Sequence, residues 1–463
     1  MADFHNKELN DALVRFEKML KENRNQFFDL HVFEDMIEYY ITNAKAEEAL
    51  KVCIVANNQY PYSVEILVHK ARTLTFMGQF KEAFNVIEVA ESIQPYEFDV
   101  LFCKASLLSA LNNYEDAVAY YEKALTLAED KAEVLYCIGF TYQSYNKYER
   151  AIEYYQSALL EDITHEDAVH EMSFSLNQIE KQTEGIEFFQ QFIDEDPYNA
   201  YAWYNMGIIY SGTGQDTEAL NAYEYATLID ETISSAYFNM GHCYMNMEDY
   251  PSAFRSYLNT LEHEGPNAEV YCHIAAATEK MEDYNVALKY YKKATDLDKD
   301  YDEAWFGGGE CLRQLDKYME AVHYLSQATQ LNQFKDEYWL ALAQAEGALG
   351  NINAALDAYK SASNLNPANA EVWLNWAEAL KDNDKLTQAA ELIEDAIDEL
   401  PESADLLYRA TAYSLLIGNL DKACEYLEQA LTLDREKHIQ LFEYFPEVEM
   451  QKALQKMIQH FSD

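Results

Sequence analysis

The chain has 463 residues and a formal net charge of −47. That charge excludes the phosphate backbone of nucleic acids and anionic membrane surfaces as partners, while 49% hydrophobic and 14% aromatic residues are too many for a chain that stays unpacked. Glycine and proline are scarce beside Ala, Leu, Glu and Tyr, which predicts an all-α protein, and the length exceeds one ordinary core, so several domains or an extended array are expected.

The start, MADFHNKELNDALVRF, has neither the basic start and apolar core of a signal peptide nor a membrane-length apolar run, and no such run occurs later in the chain. Membrane insertion is therefore not expected. Seven cysteines without a CxxC pair suit reduced thiols and a cytoplasmic compartment. Residues 4–24 predict an amphipathic helix carrying Phe4, Leu9, Leu13, Phe16 and Leu20, and residues 1–29 are assigned to an N-terminal capping helix that covers the open end of a repeat array.

From Leu30 to residue 437 the chain repeats every 34 residues without insertion or deletion, which makes twelve repeats. With Leu30 as position 1, position 20 is alanine from Ala49 to Ala423 apart from Gly185. Position 8 is mostly small, as in Ala71, Gly139, Gly207, Gly241 and Gly309, and position 27 is alanine apart from Phe192 and Thr260. Small residues at these sites let two antiparallel helices approach closely. Large side chains such as Leu67, Trp203, Trp305 and Trp373 hold position 4, and prolines at position 32, among them Pro61, Pro197 and Pro367, end the second helix.

The stretch AYAWYNMGIIYSGTGQDTEALNAYEYATLIDE, Ala200 to Glu231, resembles a tetratricopeptide repeat (TPR), with Trp203, Gly207, Tyr210, Ala219, Tyr223 and Ala226 on that family's signature positions. The resemblance covers residues 30–437 and implies a right-handed superhelical solenoid of antiparallel helix pairs, capped at both ends by extra helices. It also places function on a concave face lined by first-helix positions 2, 5, 6, 9, 12 and 13. Residues 438–463 break the period with Phe445 and Pro446, and the helix after them, bearing Met450, Leu454, Met457, Ile458 and Phe461, is assigned to sealing the last repeat. In the fifth repeat, Phe192 and Gly185 read as a compensating pair, bulk at one site matched by space at the other.

The run Gly307-Gly308-Gly309 invites a nucleotide-loop reading, but no strand precedes it and Trp305 already reads as helical. In register, Gly309 is the small packing site, Gly308 replaces a core residue and Gly307 faces the groove. Drift tolerated by neighbouring repeats is the favoured reading, with a hinge or bare patch of groove as the alternative. The stretch HEDAVH, His165 to His170, spaces its histidines at i and i+5, which points them apart on a helix, so no metal site is assigned. His69, Cys103, Cys137 and Glu171 form a column at position 6 and read as structural groups, and His242, Cys272 and His273 are weak metal candidates. No catalytic motif, cofactor site or metal site is assigned, and no enzyme activity is expected.

Position 2 is acidic nine times, among them Glu133, Asp167, Glu303 and Asp405, a pattern that meets the helix dipole as well as it would a ligand. The candidate protein-binding residues are Tyr136, Phe140, His170, Phe174, Tyr201, Tyr204, Asn205, Phe238, Asn239 and His242, aromatics to anchor apolar side chains and amides to meet an extended backbone. Asn205 and Asn239 resemble the asparagine ladder of some peptide-binding TPR arrays, whereas the lysines and arginines of carboxylate-clamp TPRs are missing. Residues 166–267 hold eighteen acidic and two basic residues, a solvated face or a match for a basic partner segment. The expected function is a cytoplasmic adaptor that takes an extended or helical segment of a partner protein in its groove. The alternative is a structural scaffold or self-associating homo-oligomer that uses its caps and convex face.

Overall fold

The computed structural model describes residues 2–22, 26–444 and 458, and divides into two units, Met1–Glu231 and Thr232–Asp463. Among the described residues every regular element is a helix. In the first unit Ala2–Glu22 precedes six antiparallel pairs, from Leu30–Thr42 with Ala46–Gln59 to Ala200–Gly212 with Asp216–Ile229. In the second, six pairs run from Ser234–Asn246 with Tyr250–Glu264 to Ala404–Ile417 with Leu420–Leu433, and His438–Tyr444 comes after them. Each unit is an array of antiparallel helix pairs, as the TPR resemblance implies.

Each pair turns at position 15, which has a left-handed backbone in all twelve, whether the residue is Gly78 or Gly214, Ala44, Glu180 or Glu282. There the chain reverses the helix ladder: the Gly78 N–H donates to the Thr75 carbonyl at 3.0 Å and the Gln79 N–H to the Leu74 carbonyl at 2.8 Å, which satisfies carbonyls the helix end would orphan. Position 34 then starts the next pair. Ser63, Asn199, Asn267 and Asn369 all accept a backbone N–H from the first turn of the helix they open. At position 4 the indoles of Trp203, Trp305, Trp339 and Trp373 donate to the carbonyls of Pro197, Lys299, Gln333 and Pro367 at 2.9–3.0 Å, tying each second helix's exit to the helix after it.

The position 20 alanines are fully buried, as their recurrence requires. Opposite the glycines of position 8 lies the tyrosine of position 24, of which Tyr223 in the quoted stretch is one. A Cβ added at Gly139 would stand 2.6 Å from the Tyr155 ring, and one added at Gly207 or Gly241 would run into the rings of Tyr223 and Tyr257. The glycines are there because the rings occupy the space a side chain would need.

The run Gly307-Gly308-Gly309 lies inside the continuous helix Asp302–Gln314, and all three residues are buried. A Cβ at Gly307 would stand 2.6 Å from the Tyr291 hydroxyl oxygen, one at Gly308 2.8 Å from the Tyr324 ring, and one at Gly309 2.6 Å from Leu325 Cγ. Gly307 is thus covered by Tyr291 rather than open to the groove, and the run is neither drift nor hinge but a seat for three neighbouring side chains. The compensation expected in the fifth repeat is also corrected: Gly185 makes room for Leu176 and Ile209, while Phe192 packs on Phe188 and Phe189 of its own helix.

The N-terminal helix buries Ala12, Leu13, Phe16 and Met19 against Phe28, Phe33 and Met36, and leaves Leu20 exposed. The side chain of Phe4 lies outside the described residues, as do Phe445, Pro446, Met450, Leu454, Met457 and Phe461, while Ile458 packs on the core around Leu406 and Tyr413.

Replacing Gly307 with alanine should destabilise the second unit by roughly 1–3 kcal/mol through overpacking on Tyr291, although alanine's helix propensity alone favours it by about 1 kcal/mol. Glu282→Gly, which relieves a left-handed non-glycine residue, should act the opposite way by up to about 1 kcal/mol. Urea midpoints of the two variants on either side of the wild type would bear this out, and a neutral or stabilising Gly307→Ala would contradict it.

Candidate functional site

In the first unit, Tyr136 and Phe140 project from Lys131–Ser144, His170 and Phe174 from Glu166–Gln178, and Tyr201 from Ala200–Gly212. Phe140 and Phe174 hold the same position one repeat apart and are 44% and 48% exposed. Tyr136 is half-buried, its ring 6.2 Å from Phe140, 6.0 Å from Tyr155 and 4.9 Å from His165. His170 is exposed, Tyr201 is half-buried, and Phe174 meets Tyr148 edge to face at 6.4 Å.

Tyr204 and Asn205 are not part of this exposed face: each is only 1% accessible. The Asn205 side-chain amide donates to the Ile163 carbonyl at 2.8 Å, so it anchors the turn between two repeats instead of presenting a donor to a ligand. That corrects the expectation of an open asparagine ladder, because the amide satisfies a carbonyl at a turn whose backbone has no helical partner.

In the second unit, Phe238, Asn239 and His242 are half-buried on Ser234–Asn246. His242, Phe238, Tyr257 and His273 form one ring cluster: the two imidazoles are 4.7 Å apart, Phe238 lies 4.6 Å from His242 and 5.2 Å from His273, and Tyr257 lies against His273 at 5.4 Å. His242 Nδ1 and the Tyr257 hydroxyl are 3.3 Å apart. Burial, and after it His273, pushes His242 down to about 4, with Glu269 pulling the other way. Burial likewise holds His273 below its ordinary value against the pull of Glu303.

Sequence reasoning missed the residues that hold this face in place. The hydroxyls of Tyr121, Tyr155 and Tyr291 reach first-helix residues Ser106 at 2.8 Å, Gln143 at 2.9 Å and Glu279 at 2.8 Å. Gln143 also accepts from the Ser175 hydroxyl at 2.7 Å and donates through Nε2 to the Glu171 carboxylate. The available signal was the tyrosine recurring at position 24 in register with glycine or alanine at position 8. Nothing comparable marked His165, which accepts from the Ala168 N–H through Nδ1 and brings Nε2 to 3.4 Å from Glu133.

The acidic residues of position 2 are partly answered from within. Lys335 lies 3.1 Å from Glu303, Lys437 2.8 Å from Asp405, and Arg72 2.8 Å from Asp99. In the column at position 6, burial pushes the thiols of Cys103 and Cys137 up to about 11 and about 12, so both are protonated near neutrality. Among the described residues no group of three or more His, Cys, Asp or Glu side chains is placed to hold a metal ion, and no helix is long and apolar enough to cross a membrane.

A family model described as tetratricopeptide repeat matches residues 68–308, and three further models of that description match residues 280–345, 336–379 and 374–437. No curated protein matches the chain. Among solved structures, the chain is similar to the crystal structure of YrrB, a TPR protein with an unusual peptide-binding site, at 22% identity over 40% of this chain and 95% of that one, with a TM-score of 0.36. It is also similar to the APC/C hetero-tetramer Cut9-Hcn1, at 14% identity over 88% of this chain and 94% of that one, with a TM-score of 0.41.

The buried imidazole of His242 makes stability depend on pH with a definite sign. Its folded value is depressed, so the unfolded chain takes up the proton first; the contribution is complete above about pH 6.5 and is lost as pH falls toward about 4, up to roughly 3 kcal/mol in all. A His242→Gln variant should therefore lose less stability than wild type between pH 7.5 and 4.5 in urea titrations. Parallel pH profiles for the two proteins would refute this.

Proposed function

The chain belongs to the tetratricopeptide repeat family, and from that premise we propose that it is a protein-interaction adaptor that takes a segment of a partner protein along the first-helix face of its N-terminal unit. The observation that carries the reading is the pair Phe140 and Phe174, two phenyl rings in register, both more than two-fifths exposed and flanked by the half-buried Tyr136. Exposed aromatics in register on a rigid scaffold are what an apolar anchor of a partner segment needs. Tyr204 and Asn205 support the scaffold and are left out of the contact surface. Tyr201 and His170 lie at its margin, and Phe238, Asn239 and His242 form a separate candidate surface in the second unit.

The reading gives the chain no catalytic role and no cofactor, and places it in the cytoplasm, in keeping with free thiols at Cys53, Cys103, Cys137, Cys272, Cys311 and Cys424. A second reading, a self-associating scaffold, draws on apolar side chains exposed on second helices, chiefly Leu160 and Leu228.

The test is affinity capture from the source lysate with wild type and with Phe140→Ala/Phe174→Ala, after circular dichroism has shown equal helicity. Losing two aromatic anchors should cost at least about 2 kcal/mol and hence deplete a specific partner some 30-fold. Equal capture by both proteins removes the face from consideration, and mass growing with concentration in sedimentation without any partner favours the scaffold.

A further inference from the structure

The adaptor reading leaves the chemistry of the bound segment open, and any charge preference at that face rests on that reading. Around Tyr136 stand the carboxylates of Glu133, Asp167 and Glu171, and they lack the basic partners that some carboxylates elsewhere in the array have. Glu303, Asp405 and Asp99 are each met by a lysine or arginine. Glu133 is met by His165, which accepts a backbone N–H through Nδ1 and so carries its proton on Nε2 as a neutral ring. Glu171 is met by the neutral amide of Gln143, itself locked by the hydroxyls of Tyr155 and Ser175.

Neutral donors orient a carboxylate without cancelling its charge. The helices Glu166–Gln178 and Ala200–Gly212 contain no lysine or arginine, and Lys131 is the one such residue in Lys131–Ser144, at its first position. Among the described residues no lysine or arginine is ion-paired with Glu133, Asp167 or Glu171. The Tyr136 phenol registers the resulting field: burial first, then Asp167 and Glu171, push it up to about 12.

We propose that the partner segment seated on Phe140 and Phe174 is a basic one, whose arginine or lysine heads lie between these rings and the carboxylates of Asp167 and Glu171. A cation over an aromatic face gains from the ring quadrupole, and here the same head would meet the Asp167 and Glu171 carboxylates with no resident base to displace. The occupant that this excludes is an acidic segment, which would meet uncompensated like charge.

The probes are three fluorescein-labelled synthetic peptides of equal length, alternating leucine with arginine, with glutamine or with glutamate, read by fluorescence anisotropy on the full chain. The arginine peptide should bind at least about tenfold more tightly than the glutamine peptide in 50 mM salt, and the advantage should shrink in 500 mM salt. Asp167→Asn/Glu171→Gln should remove most of that preference. Glu82→Gln/Glu88→Gln, an equal change of charge on an exposed second-helix surface, should not. Phe140→Ala/Phe174→Ala should weaken both the arginine and the glutamine peptides, the arginine peptide the more.

If the two charge variants weaken the arginine peptide equally, attraction to the general negative charge of the chain is all there is and the inference fails. Absence of arginine-peptide binding overturns it as well. If the glutamine peptide binds as tightly as the arginine peptide and both are lost in the phenylalanine variant, the adaptor face stands while its proposed preference for base falls.

Discussion

The constraint on which the rest depends is the close approach of two antiparallel helices at positions 8 and 20, close enough that a tyrosine ring from position 24 fills the space where a side chain at position 8 would stand. In three repeats this requires glycine, and at Tyr291 the demand extends into the next repeat, to Gly307. A buried tyrosine must also find a partner for its hydroxyl. The geometry of the pair sends that hydroxyl toward the first helix, where Ser106, Gln143, His242 or Glu279 waits. Packing the core and fixing the first-helix face are therefore one event.

Electrostatics is distributed on the same frame. Carboxylates at the start of first helices meet the helix dipole in any repeat, and in some repeats the residue at position 34 then cancels the charge. Lys335 and Lys437 cancel it, whereas His165 holds its carboxylate in place with a neutral ring. A chain with a net charge of −47 is thus not uniformly negative in the sense that matters for binding. What differs between repeats is whether a fixed carboxylate has been left with its field intact.

The architecture was legible because packing repeats. Alanine at position 20 and small residues at position 8 report a helix contact that every pair must make, and a contact made twelve times leaves a periodic trace. Other features repeat in the structure but not in the letters. Position 15 adopts a left-handed backbone in every pair, yet only four of the twelve residues there are glycine. Neighbouring helices and the two carbonyls satisfied at the turn hold Glu180 or Glu282 in a conformation that neither prefers by itself. Tertiary context overrides local preference at that site, so composition could not reveal it.

The site was legible only in part, and position 6 shows why. In one repeat it is Cys103, buried and protonated; in another Glu171, half-buried and held by Gln143; in a third Asn205, fully buried on the Ile163 carbonyl; in a fourth Gly307, beneath Tyr291. The backbone places this position at the edge between core and face in every repeat. Whether the side chain is then seen by solvent depends on the residues that neighbouring repeats bring against it. Position 9 lies one turn farther along the first helix, and Phe140 and Phe174 remain exposed there. A family pattern transfers backbone geometry faithfully, but exposure is a property of pairs of neighbouring repeats. That is why an asparagine at a ligand-contacting position of one array anchors a turn in this one.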